Sequence, residues 1–342
     1  MLLHLGLVAV AAIAAFVAAA LVRANAQHLG VIQTPNARSS HTTPTPGGGG
    51  VGIVLGGSLV FAAASASGLV PFLPGLILGV LIAAIGFYDD RHPLPARVRL
   101  PAQLALVAVA IWLTVPLDDL QRHTGIPLPA FAVAVIALVG AVYWINLFNF
   151  MDGIDGIASS EAIFMLVGAA ILSALNDPNF FDGAMFWCMI GIAAAAIGFL
   201  ALNWPPARIF MGDAGSTYLG FVIAFLALLT IAEGVLSLPQ WLILSAAFAT
   251  DASVTLIRRL LLREKVFEAH RRHAYQVLSR RFGAHRPVTL SFIGLNVIWL
   301  LPMAWAATSW GWLAVLIAYV PLILLALAFG AGAPERPFVS PR

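Results

Sequence analysis

Eleven apolar segments, each long enough or nearly long enough to cross a membrane, follow one another along the chain. They are, roughly, 2–22, 48–67, 72–88, 100–116, 129–148, 158–175, 185–202, 216–232, 240–261, 288–307 and 311–330. A hydrocarbon core of about 30 Å needs about 20 helical residues. Inside lipid the backbone must satisfy its own hydrogen bonds, which a helix does within one segment. The pattern predicts an all-α fold, a polytopic membrane bundle of about 11 transmembrane helices.

The composition agrees with a membrane protein and excludes several alternatives. Hydrophobic residues make up 61% of the chain and charged residues 10%, whereas soluble domains carry about 25% charged residues. Cys188 is the only cysteine, which excludes a disulfide framework and a cysteine metal site. We expect one membrane-embedded domain over 1–332, a short cytoplasmic tail over 333–342, and no nucleic-acid partner.

The basic residues indicate the orientation in the membrane. Ala24, Asn25 and Ala26 resemble a signal-peptidase site, but no basic residue precedes the first apolar segment. This favours a retained helix with its N-terminus outside. Alternation from there puts seventeen of the 18 Lys and Arg residues on the inside and leaves only Arg122 outside. The C-terminus and five inside loops are therefore predicted to be cytoplasmic.

One inside loop, WINLFNFMDGIDGIASS at 144–160, carries amides and carboxylates at a strict spacing of three: Asn146, Asn149, Asp152 and Asp155. An α-helix would spread them round half a cylinder, and a 3₁₀ turn would align them on one edge. Gly153 and Gly156 favour a tight turn. Either geometry predicts that the four side chains converge; an ordinary polar loop is the alternative.

Two further inside loops carry acids. Asp89 and Asp90 end the third segment, where adjacent carboxylates repel unless one is protonated or a cation lies near them. In Met211–Ser216, Ser216 is predicted to cap the eighth helix, and the glycines let a phosphate approach its positive end. Asp213 would repel that phosphate unless a divalent cation lay between them. The alternatives are acids marking the end of a helix and a simple helix cap.

The longest inside loop, 258–287, carries a pair of histidines between arginines. His270 and His273 are three residues apart, on one face of a helix. This spacing is a weak zinc signal. Phosphate binding by Arg272 and the histidines is the interpretation that fits the neighbouring loops; a topogenic charge cluster is the alternative.

Asp251 differs from the other acids because it lies seven residues before Arg258, at a depth inside the hydrocarbon. A carboxylate there costs about 2.5 kcal/mol or more unless it faces the bundle interior. Two hypotheses remain open: a functional residue, or a structural pair with an arginine such as Arg258.

Acids for a divalent cation and bases for phosphates, all on one side, are typical of a displacement between two phosphate-bearing substrates. A bound metal and cationic side chains reduce the repulsion between two anions. A secondary transporter is the alternative, although transporters place polar sites near the midplane, and only Asp251 approaches that depth.

Five motifs, in order, carry a resemblance to a known family. They are PNARSSHTTPTPGGGG at 35–50, YDD at 88–90, NLFNFMDGIDGIA at 146–158, FMGDAGS at 210–216 and AHRRHAYQ at 269–276. Together the motifs resemble those of the polyprenyl-phosphate N-acetylhexosamine-1-phosphate transferase superfamily (glycosyltransferase family 4 type), which includes phospho-N-acetylmuramoyl-pentapeptide transferase. The last motif looks most like that of O-antigen-initiating members, which use 6-deoxy N-acetylated sugars.

The resemblance implies a multi-pass enzyme of the bacterial inner membrane whose active site faces the cytoplasm. It would transfer an N-acetylated hexosamine-1-phosphate from a UDP-sugar to undecaprenyl phosphate and release UMP, with Mg²⁺ or, as a substitute, Mn²⁺. The catalytic residues would be Asp89, Asp90, Asp152, Asp155, His270 and His273. Metal binding is assigned to Asn149 and Asp213. Substrate binding is assigned to Arg38, His41, Asn146, Asp251 and Arg272.

Overall fold

The computed structural model describes residues 1–34, 43–68, 71–265 and 270–334, and the all-α prediction is confirmed. The helices are α1 (Leu2–Ala24), α2 (Ala26–Leu29), α3 (Val51–Ala66), α4 (Phe72–Arg91), α5 (Ala96–Thr114), α6 (Leu117–Thr124), α7 (Ala130–Met151), α8 (Ile157–Asn176), α9 (Ala184–Asn203), α10 (Gly212–Ala232), α11 (Leu238–Leu244), α12 (Ala246–Leu261), α13 (Ala274–Phe282), α14 (Arg286–Leu295), α15 (Leu301–Trp310) and α16 (Trp312–Phe329). A 3₁₀ turn forms Pro178–Asp182, and a π-helical turn at Asn296–Leu300 joins α14 to α15. Strands β1 (Ile32–Gln33) and β2 (Thr45–Pro46) pair antiparallel, with Ile32 opposite Pro46.

All eleven predicted apolar segments are helical. Within the described ranges, nine helical segments are long and apolar enough to cross a membrane, or ten if the bent pair of α11 and α12 forms one span. The second predicted segment, α3, has 16 residues and is shorter than these. The structure therefore contains a polytopic helical bundle, and the number of spans and their orientation remain predictions.

The ninth predicted segment is not one straight helix. It divides into α11 and α12, which meet at an angle of 75° at Ser245. Ser245 Oγ and the hydroxyl of Tyr319 both donate hydrogen bonds to Leu242 O, 2.9 and 2.8 Å away. These donors satisfy a carbonyl that the end of α11 would otherwise leave without a partner inside the bundle.

The centre of the bundle is α10, because 89% of the residues in its most apolar stretch are buried. In α1 and α16, which lie at the periphery, the corresponding shares are 17% and 22%. α4 packs closely along α10. A Cβ at Gly86 would lie 2.5 Å from Asp213 O, so only glycine permits this approach. The contact brings the end of α4, with its two aspartates, to the beginning of α10.

The predicted orientation can be tested by labelling single cysteines. Ala284 lies in a predicted cytoplasmic loop and Asp118 in a predicted outside loop, and both are exposed. In intact cells, a cysteine at position 118 is expected to react with a membrane-impermeant maleimide, and one at 284 only after permeabilisation. Cys188 is buried, which keeps the background low. Equal labelling at 284 before and after permeabilisation would contradict the orientation.

Candidate active site

The ends of three long helices surround a polar cavity of about 280 Å³. α4 and α7 end at it, and α10 begins at it. Five of the predicted site residues line it: Asp90, Asn149, Asp152, Asp155 and Asp213. The structure therefore brings together carboxylates from three separate motifs.

The N-terminus of α10 binds the carboxylate of Asp90. Asp90 Oδ1 accepts a hydrogen bond from Asp213 N at 2.8 Å, and Oδ2 accepts one from Ala214 N at 3.3 Å. The helix begins at Gly212, whose φ of 75° lies in the left-handed region. Ser216 is therefore not the cap that the sequence predicts: it lies one turn inside the helix, and its Oγ donates to Gly212 O at 3.1 Å.

Asn149 connects α7 to α10. Its Nδ2 donates hydrogen bonds to Asp213 Oδ1 and to Ser216 Oγ, both at 2.8 Å. α7 continues to Met151 as a regular α-helix, so Asn149 lies within the helix and not in a 3₁₀ turn. Asn149 therefore lines the cavity from a fixed position near the end of α7.

Asp152 and Asp155 lie on the turn between α7 and α8. Burial, followed by the negative charges of Asp213, Asp90 and Asp155, raises the pKa of Asp152 to about 8. Asp155 is held on both oxygens: Oδ2 accepts from Ala207 N at 2.9 Å, and Oδ1 lies 3.1 Å from His285 Nδ1. The cavity therefore contains more negative charge than its own side chains neutralise.

The adjacent acids Asp89 and Asp90 have different surroundings. Asp89 is buried and forms an ion pair with Arg99, with NH1 2.8 Å from Oδ2, and it also accepts a hydrogen bond from Leu94 N. Only Asp90 lines the cavity. The same NH1 of Arg99 lies 3.8 Å from Asp213 Oδ2, so this guanidinium extends from Asp89 to the acidic cluster.

Asn146 does not join the other three polar residues of its motif. It is buried, and its Nδ2 donates to Gln103 Oε1 at 2.6 Å and to Val142 O at 2.8 Å. Three residues before Asn149 on a continuous helix, it faces α5 instead of the cavity. The predicted convergence of all four is therefore wrong for Asn146. Arg38 and His41 lie outside the described residues.

The histidine pair lies beside the cavity and does not line it. The rings of His270 and His273 are 4.9 Å apart. Burial, then the positive charges nearby, lowers the pKa of His270 to about 3, so its ring is neutral near pH 7. Arg272 NH1 forms a close ion pair with Glu264 Oε1 at 2.5 Å.

Asp251 holds the start of α13. Its two carboxylate oxygens accept hydrogen bonds from Ala274 N at 2.7 Å and Tyr275 N at 2.9 Å, and it lies 3.4 Å from His273 Nδ1. The hypothesis of a pair with Arg258 is wrong, since Arg258 donates to Ala331 O. Asp251 instead positions the helix that follows the histidine motif, where its charge compensates the positive helix end.

Several cavity residues were missed from sequence. Phe210, Gln33 and Gln276 line the cavity, as does Asn203, which fixes the turn before α8 by accepting a hydrogen bond from Gly156 N at 2.9 Å. Arg99 was assigned to membrane topology, although its position ten residues after Asp89 places it on the next helix, facing back toward the acids. The available signal was a charged residue directly before an apolar segment, ten residues after Asp89.

No three His, Cys, Asp or Glu side chains in the described part of the chain are arranged to hold a metal ion. The reason is visible in the contacts of the acids. Asp90 is turned toward the amides of α10, and Asp213 toward Asn149. The acids nevertheless line one cavity.

Comparison with known proteins places the chain in a family. The pattern of glycosyl transferase family 4 matches residues 72–231, which include Asp89, Asp90, Asp152, Asp155 and Asp213. The undecaprenyl-phosphate alpha-N-acetylglucosaminyl 1-phosphate transferase of Thermotoga maritima is 30% identical over 259 residues, 74% of each chain. The chain belongs to glycosyl transferase family 4.

Two further family members extend the comparison. The decaprenyl-phosphate N-acetylglucosaminephosphotransferase of Mycobacterium leprae is 29% identical over 335 residues, 87% of this chain and 81% of the relative. The phospho-N-acetylmuramoyl-pentapeptide-transferase of Staphylococcus carnosus is 30% identical over 207 residues, 56% and 63% of the two chains. The predicted superfamily is confirmed: the chain is a multi-pass membrane transferase, and the transporter alternative has no support.

Proposed function

We propose that this enzyme transfers an N-acetylated hexosamine-1-phosphate from a UDP-sugar to undecaprenyl phosphate. An oxygen of the lipid phosphate bonds to the β-phosphorus of the UDP-sugar, and the bond from that phosphorus to the bridging oxygen breaks. UMP leaves, and a lipid-linked diphosphate sugar remains. The observation that carries the proposal is the convergence of Asp90, Asp152 and Asp213 with Arg99 at the N-terminus of α10.

A divalent cation fits the donor set, and we assign Mg²⁺ to it. The carboxylates of Asp90 and Asp213 and the side-chain oxygen of Asn149 would hold the ion, since hard oxygen ligands suit Mg²⁺. Burial and then the negative charges of neighbouring acids raise the pKa of Asp152, and this gathering of acids in one cavity is the independent reason to place a cation here. When bound, the ion supplies charge neutralisation for the diphosphate.

The chain's own cationic groups complete the site for phosphates. Arg99 extends between Asp89 and Asp213, and its NH1 reaches the second of these at 3.8 Å. The amides at the start of α10 hold the Asp90 carboxylate beside the helix end. Phe210 also lines the cavity, and its ring is our candidate for stacking on the nucleobase.

The names of the relatives support the kind of lipid substrate, and the resemblance of the motifs supports the proposed cellular role. Relatives named for undecaprenyl phosphate and decaprenyl phosphate support a polyprenyl phosphate acceptor. We place the reaction at the cytoplasmic face of the bacterial inner membrane, as the first membrane step of O-antigen or related cell-surface glycan synthesis. The His270–His273 motif supports a 6-deoxy N-acetylated sugar as the donor.

The proposal predicts Mg²⁺-dependent release of UMP. Purified protein in detergent, given undecaprenyl phosphate and a panel of UDP-N-acetyl sugars, is expected to release UMP from at least one of them. Release should stop with EDTA and recover with excess Mg²⁺, since the acidic cavity needs a cation before it accepts a diphosphate. A panel that includes 6-deoxy sugars identifies the donor. Absence of UMP with every sugar would contradict the function.

A further inference from the structure

A histidine outside every motif contacts the catalytic turn. His285 immediately precedes α14, and its Nδ1 lies 3.1 Å from Asp155 Oδ1 and 3.3 Å from Asp155 N. Both side chains are largely buried, with 14% and 11% exposed. One turn further along α14, Thr289 Oγ1 donates to Asp155 O at 2.9 Å. The start of α14 therefore contacts three of the four polar atoms of Asp155: its backbone N and O and its side-chain Oδ1.

The fourth polar atom of Asp155, Oδ2, is bound by a residue of another loop. Asp155 Oδ2 accepts from Ala207 N at 2.9 Å, which leaves Oδ1 as the oxygen oriented by a side chain. When Nδ1 carries a proton it donates to Asp155 Oδ1, 3.1 Å away, and when it carries none it accepts the Asp155 N–H, 3.3 Å away, so the imidazole restrains Asp155 in either tautomer. The imidazole thus determines how the Asp155 carboxylate is turned while it lines the cavity.

The segment that contains His285 also holds the other end of the turn. From α13, the Tyr275 hydroxyl donates to Phe150 O at 3.0 Å, two residues before Asp152. A Cβ at Gly153 would lie 2.1 Å from the same hydroxyl, so the turn fits against this tyrosine. α13 and the start of α14 therefore contact the Asp152–Asp155 turn on both sides.

From these contacts we propose that His285 is a positioning residue for Asp155, acting through its Nδ1 on the orientation of that carboxylate. The inference rests on the proposed transfer for its catalytic consequence. Displacement of a catalytic group by about 1 Å costs about 10²-fold in rate. Thr289 and Ala207 N still hold the turn when the imidazole is removed, so the fold remains and the carboxylate loses one of its two restraints.

Three substitutions separate positioning from packing. In His285→Asn one δ atom of the carboxamide takes the place of Nδ1, and as Nδ2 it can donate to Asp155 Oδ1. In His285→Gln it lies one methylene further out, and in His285→Ala it is absent. We expect the Gln and Ala variants to lose about 10- to 100-fold in kcat. Their KM for the UDP-sugar that the wild type uses best should change less than about twofold. The Asn variant should retain most of the activity.

Amide hydrogen exchange measures the local stability of the turn directly. Amide hydrogen exchange over residues 152–157 is expected to accelerate in His285→Ala and to stay near the wild-type rate in His285→Asn. His123→Ala is the matched control, because His123 contacts Ala232 O and no cavity residue. It should change neither kcat nor exchange in the turn.

The outcomes distinguish this proposal from the proposed function. Equal kcat losses in the Asn, Gln and Ala variants, or unchanged kcat in all three, would overturn the positioning role. If the wild-type protein released no UMP from any sugar, the proposed function would fall. Hydrogen exchange alone would then decide: unchanged exchange over 152–157 in His285→Ala would overturn the contact with Asp155, and faster exchange rescued by Asn would support it.

Discussion

Asp213→Asn is expected to lower turnover by about 10³-fold or more, since it removes charge from the centre of the acidic cluster. The Asp213 carboxylate lies between Asn149 Nδ2 at 2.8 Å and Arg99 NH1 at 3.8 Å, and its own backbone amide binds Asp90. An asparagine keeps the shape and one oxygen, but it loses the charge that would hold Mg²⁺. The half-saturating Mg²⁺ concentration should therefore rise, as a titration of UMP release against Mg²⁺ will measure.

The fold should survive this substitution. An amide oxygen at position 213 can still accept from Asn149, so the thermal unfolding temperature of the purified protein should change little. Asp118→Asn is the control for loss of an acid, because Asp118 is exposed on α6 and does not line the cavity. A variant at 213 that turned over normally with an unchanged Mg²⁺ response would rule out Asp213 as a metal ligand.

Hydropathy predicted the helices because it is a local property. Each apolar segment forms its backbone hydrogen bonds within itself, whatever its neighbours are. The bend at Ser245 was missed since the donors that make it acceptable, Ser245 Oγ and the Tyr319 hydroxyl, include one from a helix more than seventy residues away. Nothing within the ninth apolar segment marks the break.

The site was predicted in its chemistry more fully than in its geometry. Spacing alone grouped Asn146 with Asn149, but a continuous α7 turns them toward different neighbours, Gln103 and Asp213. Asp251 was recognised as exceptional from its depth, yet its partners are backbone amides of α13, which have no sequence signature. Both results depend on tertiary contacts that periodicity does not encode.

Arg99 shows why charge statistics can hide a functional residue. The one-sided distribution accounted for seventeen of the 18 basic residues at once, and only Arg38, Arg258 and Arg272 were considered individually. In the structure Arg99 turns back toward Asp89, whereas Arg122 pairs with Asp119 on the surface. A rule about the total number of charges on one side does not say which of them leaves the interface and enters the protein.

Substitution of the two adjacent aspartates is expected to have different effects on activity and on stability. Asp90→Asn should lose about 10²-fold or more in kcat, because it removes a cavity carboxylate that we assign to the Mg²⁺ at the reacting phosphates. Its stability should change little, because an amide oxygen can still accept from the amides that start α10. Asp89→Asn should lose clearly less activity, because Asp89 does not line the cavity.

Asp89→Asn should instead lower the free energy of unfolding by about 1–3 kcal/mol, the typical cost of leaving a buried charged group with a poorer partner. The Asp89 and Arg99 side chains are 7% and 18% exposed, so little solvent replaces the lost charge. Both variants are tested by thermal unfolding in detergent and by kcat for UMP release. Activity should fall more in Asp90→Asn, and stability should fall more in Asp89→Asn. Two variants with near-wild-type activity would mean that the acidic pair only marks the end of α4; a loss of activity confined to Asp89→Asn would reverse the two roles.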